Sequence, residues 1–223
     1  VNHLSYGIQL EAWGKYALFS RPEMKTERVS YDVITPSAAR GLIEAVYWHP
    51  GMKWIIDQIY VCNPIRFTNI RRNEVSQKIS ASNVRSVMNG KNGPLYINTS
   101  EAIQQRASLV LTDVRYVISA HFEMTDKAAD GDSPQKFYAM TCERFKGGKT
   151  FMQPYFGCRE FPANVKLFDG ELPPCEQTLA GTRELGYMLY DMDYSNPKDI
   201  RPMFFRATLQ DGLLNLKDCG VVS

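Results

Sequence analysis

Histidine is scarce in this 223-residue chain, with one residue each at positions 3, 49 and 121. So scattered a set argues against a histidine-based metal centre, and no metal or other cofactor is expected. Cysteine offers no alternative. The five residues at 62, 142, 158, 175 and 219 contain no C-x-x-C pair and form an odd set. Neither a disulfide framework nor a zinc site follows, and a reducing cytoplasm is the simplest home. No apolar run reaches the ~18 residues of a membrane span, and the start shows no secretory signal, so no membrane partner is expected. Internal repeats and low-complexity tracts are also missing. The formal net charge is only +2, which by itself says nothing about nucleic acid.

What is present suffices for a folded core: 44% hydrophobic residues and 12% aromatics. The length allows one large domain, or a medium one with a smaller companion. Charge is unevenly placed. From Arg66 to Lys91 there are six Lys or Arg against the single Glu74. Arg71, Arg72 and Lys78 in that stretch suit RNA phosphates, each neutralised phosphate releasing counterions; a merely soluble loop is the competing reading.

Along the chain, Leu4 to Ala12 alternates as a half-buried strand, and Thr35-Pro36 opens a helix that should run to about His49 and stop before Pro50. Its inner stripe is Ala38, Ala39, Leu42, Ile43 and Val46, with Tyr47 at the edge. Trp54 to Phe67 is β-prone. The polar stretch at about 70–106 reads as a long insertion, a hairpin being one form of it. Val114 to Met124 alternates again, with His121 on the polar side.

Ser133-Pro134 then opens a second helix, with Tyr138, Thr141, Cys142 and Phe145 as its apolar stripe and Lys136 nearly opposite. It ends at Lys146-Gly147-Gly148-Lys149. Two readings of that loop stand: an ordinary glycine C-cap with solvated lysines, or a cationic seat for phosphates. Gly148-Lys149-Thr150 is not a nucleotide-binding P-loop, because position 143 is Glu rather than Gly and the loop leaves a helix instead of entering one. A strand should follow, before Phe161. The order strand, helix, strand, insertion, strand, helix, strand predicts an α+β fold. It comprises a ferredoxin-like (RRM-like) domain over 1–160, interrupted at about 70–106, and a small antiparallel β domain over 161–223.

Several segments together resemble the CRISPR-associated fifth-family proteins of subtype I-C, the d or Dvulg subtype of the RAMP superfamily. They are Gly14-Lys15-Tyr16-Ala17-Leu18-Phe19, Val29-Ser30-Tyr31-Asp32-Val33, Thr35-Pro36-Ser37-Ala38-Ala39-Arg40-Gly41, Tyr47-Trp48-His49-Pro50, Ala120-His121-Phe122-Glu123, Gly157-Cys158-Arg159-Glu160-Phe161 and Leu185-Gly186-Tyr187-Met188. The likeness covers nearly the whole chain in matching order.

The resemblance implies a metal-independent endoribonuclease that cuts CRISPR repeat RNA and stays on the crRNA 5′ handle within a type I-C interference complex. The implied chemistry is attack by the ribose 2′-hydroxyl, leaving a cyclic phosphate and a 5′-hydroxyl. It assigns catalysis to Tyr47 and Lys136 and implies a glycine-rich loop after the second helix; the cationic reading of that loop gives RNA binding to Lys146, Gly147, Gly148 and Lys149. The family's histidine after the lysine is missing here: position 137 is Phe. Three expectations follow. Tyr47 and Lys136 suffice; or His121 or His49 stands in; or the chain is a non-cleaving RNA-binding scaffold of the same complex. DNA binding by the basic regions is left open.

Overall fold

The structure is a computed structural model that describes residues 6–24, 26–93, 95–217 and 219–222. His3, Leu4 and Lys25 therefore lie outside the described residues. The first strand, β1 (Gly7–Ala17), buries Ile8, Leu10 and Ala12 and leaves Gln9 and Trp13 out as expected, but Glu11 on the polar side is also buried, paired with Arg115 and Lys166 at 2.6 and 2.9 Å. A two-residue strand, β2 (Arg28–Val29), leads to helix α1 (Pro36–Val46). Thr35 caps it, its Oγ1 accepting from the Ala38 N–H at 3.3 Å, and Ala39, Leu42, Ile43 and Val46 form the inner face. The helix stops at Val46, three residues short of the expected end. Tyr47 is already extended, and its carbonyl accepts from Trp54 Nε1 at 3.3 Å instead of closing another turn.

Strand β3 (Met52–Val61) is followed by β4 (Phe67–Val75), the two separated by a short link rather than forming one run. The long insertion is an arm of the sheet. β4 pairs with the first half of the 22-residue β5 (Ile103–Met124), and a short helix α2 (Ala81–Met88) sits between them. The second half of β5 lies between β1 and β3, antiparallel to both.

Helix α3 (Pro134–Lys146) has its expected cap, Ser133 Oγ accepting from the Lys136 N–H at 3.2 Å. Its buried face is Phe137, Thr141 and Phe145, so the helix is turned one position from the expected stripe, and Tyr138 is half exposed. Phe137 decides the turn. It is 1% exposed and packs against the rings of Phe122, Tyr47 and His49.

The strand expected before Phe161 is absent. Pro154 lacks an N–H, and Gly157 (φ 77°) has room only for hydrogen, since a Cβ there would lie 2.0 Å from the Leu18 carbonyl oxygen. The fourth central strand is β6 (Asn164–Leu167), antiparallel to β1. After it come β7 (Thr182–Asp193), β8 (Arg201–Gln210), β9 (Leu213–Asn215) and β10 (Val221–Val222). β7 and β8 form a hairpin, and β9 pairs with both β8 and β3. The result is a mixed α/β fold on one ten-stranded sheet, with central order β9-β3-β5-β1-β6. α1 links β1 to β3, and α3 links β5 to β6.

Candidate functional site

Two chain ends meet around Phe137: the exit of α1 and the entry of α3. Tyr47, one residue past α1, is 9% exposed, its ring 6.4 Å from that of Phe137. The Arg144 guanidinium, from the last turn of α3, lies 5.5 Å over the Tyr47 ring. Burial pushes the Tyr47 phenol up from its ordinary value, against the opposing pull of Arg144 and Lys136. The phenol therefore stays protonated and serves as a donor at neutral pH. Lys136 and Asp132 act on the phenol in opposite senses and less strongly than burial or Arg144.

Lys136 is exposed on the first turn of α3, opposite the buried face as its position predicts. Its Nζ donates to Asp132 Oδ1 at 2.9 Å and to the Gly131 carbonyl at 3.3 Å. The bond from Lys136, with the Ala129 N–H, holds the Asp132 carboxyl below its usual range. His49 completes the group. Its ring lies 4.8 Å from Phe137, and its Nδ1 accepts from the Gly51 N–H at 3.1 Å, with Asp132 Oδ2 3.8 Å away. An accepting Nδ1 leaves the proton on Nε2, so a neutral His49 is also a donor.

His121 is elsewhere. Phe122 points to α3, so its strand neighbour His121 points to the other face, where Nδ1 meets both oxygens of Asp57 at 2.9–3.0 Å. Of the two substitutes for the missing histidine, the structure brings only His49 to Tyr47.

The glycine loop lies beside this group. Gly147 caps α3, Gly148 takes φ 61°, and Lys149 Nζ is 3.3 Å from Glu143 Oε1. The loop is tied to α1 by Phe151 and Met152, whose N–H groups both donate to the Ala45 carbonyl, at 2.8 and 3.2 Å. Arg71 and Arg72 are exposed on β4, and Lys78 is exposed beyond it; Arg72 meets Glu160 at 3.3 Å. They do not join the Tyr47 group. Arg72 pairs with Arg106, sixteen residues along β5 from Phe122, which is about 50 Å of strand.

Sequence reasoning missed Arg144 and Asp132, whose positions carry no periodic or motif signal. It also missed a cleft of about 650 Å³ beside Tyr47, lined by one side of α1 and by Phe151, Met152 and Tyr155. Among the described residues no group of three or more His, Cys, Asp or Glu is arranged to hold a metal ion, and no helix is long and apolar enough to cross a membrane.

The model of the CRISPR-associated protein (Cas_Cas5) family, in its Cas5d form, matches residues 7–217. The chain belongs to the Cas5d family. A Cas5d from Mannheimia succiniciproducens, named a CRISPR pre-crRNA endoribonuclease, is 48% identical over 213 residues, 94% of each chain. The Cas5d of the same name from Thermus thermophilus is 35% identical over 226 residues, 94% of this chain and 90% of that one. Among solved structures, a CRISPR-associated protein superposes with a TM-score of 0.67 at 22% identity, over 98% of this chain and 97% of the other. A functionally uncharacterized protein from Streptococcus mutans gives 0.66 at 20%, over 98% of each. At these identities the two share the Cas5d fold, a large antiparallel sheet with few helices.

Proposed function

We propose that this Cas5d chain is a metal-independent endoribonuclease that cuts CRISPR repeat RNA and then stays on the 5′ handle of the crRNA. The observation that carries this reading is the packing of Tyr47 and His49 against Phe137, with Asp132 standing between His49 and Lys136, in a chain 48% identical to a named pre-crRNA endoribonuclease. RNA supplies its own nucleophile, the ribose 2′-hydroxyl, so the protein needs only to position it and to stabilise the charged phosphorane. Tyr47, His49 and Lys136 are all donors. Lys136, turning from Asp132, offsets charge on the phosphate oxygens. Tyr47 or His49 gives a proton to the departing 5′ oxygen. The 2′ proton leaves to solvent, and the products are a cyclic phosphate and a 5′-hydroxyl.

The architecture supports the same reading. β3-β5-β1-β6 with α1 and α3 follows the strand order of a ferredoxin-like, RRM-like unit, and the strands after residue 161 other than β6 add a small β unit. The cytoplasm, where repeat transcripts are made, is the place of action. The other subunits of a type I-C interference complex are its partners.

Purified protein with its cognate repeat RNA in EDTA should give a single cut at the hairpin base. A 2′-deoxy nucleotide at that position should abolish it, and cutting that survived the substitution would remove the proposed nucleophile. The buried Phe137, standing where the family has histidine, favours one second reading: a scaffold that binds the handle without cutting. Tight binding with no product, and cutting restored by Phe137→His, would establish that reading instead.

A further inference from the structure

Of the cleft that Tyr47 lines, the cleavage chemistry uses Tyr47 alone, yet the remaining walls are specialised. One wall is a single side of α1, where Ser37, Ala38, Gly41, Glu44 and Ala45 follow at helical spacing. Four of the five are small, and a Cβ added at Gly41 would meet nothing within 4 Å. This wall is flat and open. The facing rings are Trp48, 56% exposed, and Phe151, 80% exposed, with Tyr155 beside them. Phe151 is held there by its backbone bond to Ala45. Large exposed rings fixed around an open cleft are stacking surfaces for an unpaired base.

Charge is sorted along the same cleft. Arg144 lines it beside Tyr47, and Lys146 and Lys149 stand on the loop that runs directly into Phe151. Among the described residues, Glu44 is the one carboxylate in the lining. It is 3.3 Å from Arg40 Nε, and burial raises its pKa against the pull of Arg40. A guanidinium in the lining suits a phosphate, and an acceptor on the wall suits N–H groups.

We propose that this cleft takes one splayed-out guanine of the RNA strand next to the bond that is cut, stacked on the rings with its Watson–Crick edge against Glu44. The proposal rests on the RNA-cleavage reading and names the specificity element of that site. Guanine alone offers adjacent N1–H and N2–H donors to a carboxylate. Adenine and cytosine place an acceptor nitrogen beside their amino group, and uracil places carbonyls on both sides of its single N–H.

The test uses full-length protein and its cognate repeat RNA, blocked by a 2′-deoxy nucleotide at the cut so that affinity is read apart from cleavage. Each unpaired position near the cut is made abasic in turn, and then guanine, inosine or adenine. One position should prefer guanine, lose about tenfold or more in affinity when abasic, and weaken with inosine, which lacks the N2 amino group. Gly41→Leu, which fills the cleft, should cost a similar factor and make the abasic change at that position silent. Glu44→Gln should erase the guanine-over-inosine preference while circular dichroism stays unchanged. These effects would support the cleft even if the unblocked RNA were never cut, which would refute only the cleavage reading. If Gly41→Leu leaves affinity and base preference untouched, the proposal is overturned. That holds equally if the substitution instead blocks assembly with a partner subunit, whose side chain would then be the occupant.

Discussion

Tyr47 and His49 differ from ordinary packing residues in what they can still donate. Replacing Tyr47 by Phe removes one hydroxyl and leaves the ring against Phe137 and Arg144. Single-turnover cleavage should fall by about 10²–10⁴-fold, with RNA affinity within a few fold and stability unchanged. The pH profile follows from the same donors. With Tyr47, His49 and Lys136 all acting as donors and the Asp132 carboxylate engaged by Lys136, the cleavage rate should climb with pH through neutrality, as solvent takes the 2′ proton more readily. It should turn down only where Tyr47 ionises, which burial places above the phenol's usual value of about 10. A rate that did not climb with pH through neutrality would overturn the donor assignment. Sequence reading reached Tyr47 and Lys136 through resemblance alone. Nothing in the spacing of Arg144 or Asp132 marks them, because they reach the site through the ends of two helices distant in the chain.

At the scale of elements, α3 explains a misread face. Stripes 137-141-145 and 138-141-142-145 share Thr141 and Phe145 and differ by one residue of helix rotation. The sequence holds no reason to prefer either until Phe122 and Tyr47 are brought against Phe137. Phe137→Ala should therefore cost about 3–5 kcal/mol in denaturant unfolding, by leaving a cavity under Tyr47 and His49. Phe137→Leu should cost much less while still slowing cleavage. β5 was legible only from Val114 because its first half has little burial on either face, so alternation fades there although the pairing with β4 continues to Ile103. The glycines divide in the same physical way. Gly41→Ala should stabilise by about 0.5–1 kcal/mol through helix propensity, whereas Gly157→Ala meets both a positive φ and the Leu18 carbonyl and should destabilise well beyond that.

Across the whole molecule, α1 is tied to the carboxy-terminal hairpin by Arg40, whose Nη2 meets Asp191 Oδ1 at 2.9 Å. The helix that ends just before Tyr47 thus leans on β7, and β9 closes onto β3, so these carboxy-terminal strands brace the two elements that flank the site. Binding and cutting should separate over this distance. The arm carries Arg71, Arg72 and Lys78 far along β5 from Tyr47, and these cations attract phosphates irrespective of base. Changing Arg71 and Lys78 to Ala should weaken RNA binding at every sequence. It should also lower the slope of log affinity against log salt by about one for each phosphate no longer neutralised, and leave the single-turnover rate at saturating RNA unchanged. Arg72→Ala should show less, because Glu160 already competes for that guanidinium at 3.3 Å. If the double variant keeps both affinity and salt slope, the arm does not track the RNA backbone. Its concentrated charge would then face some other part of the complex, and the phosphate path would have to run from the glycine loop across α1 alone.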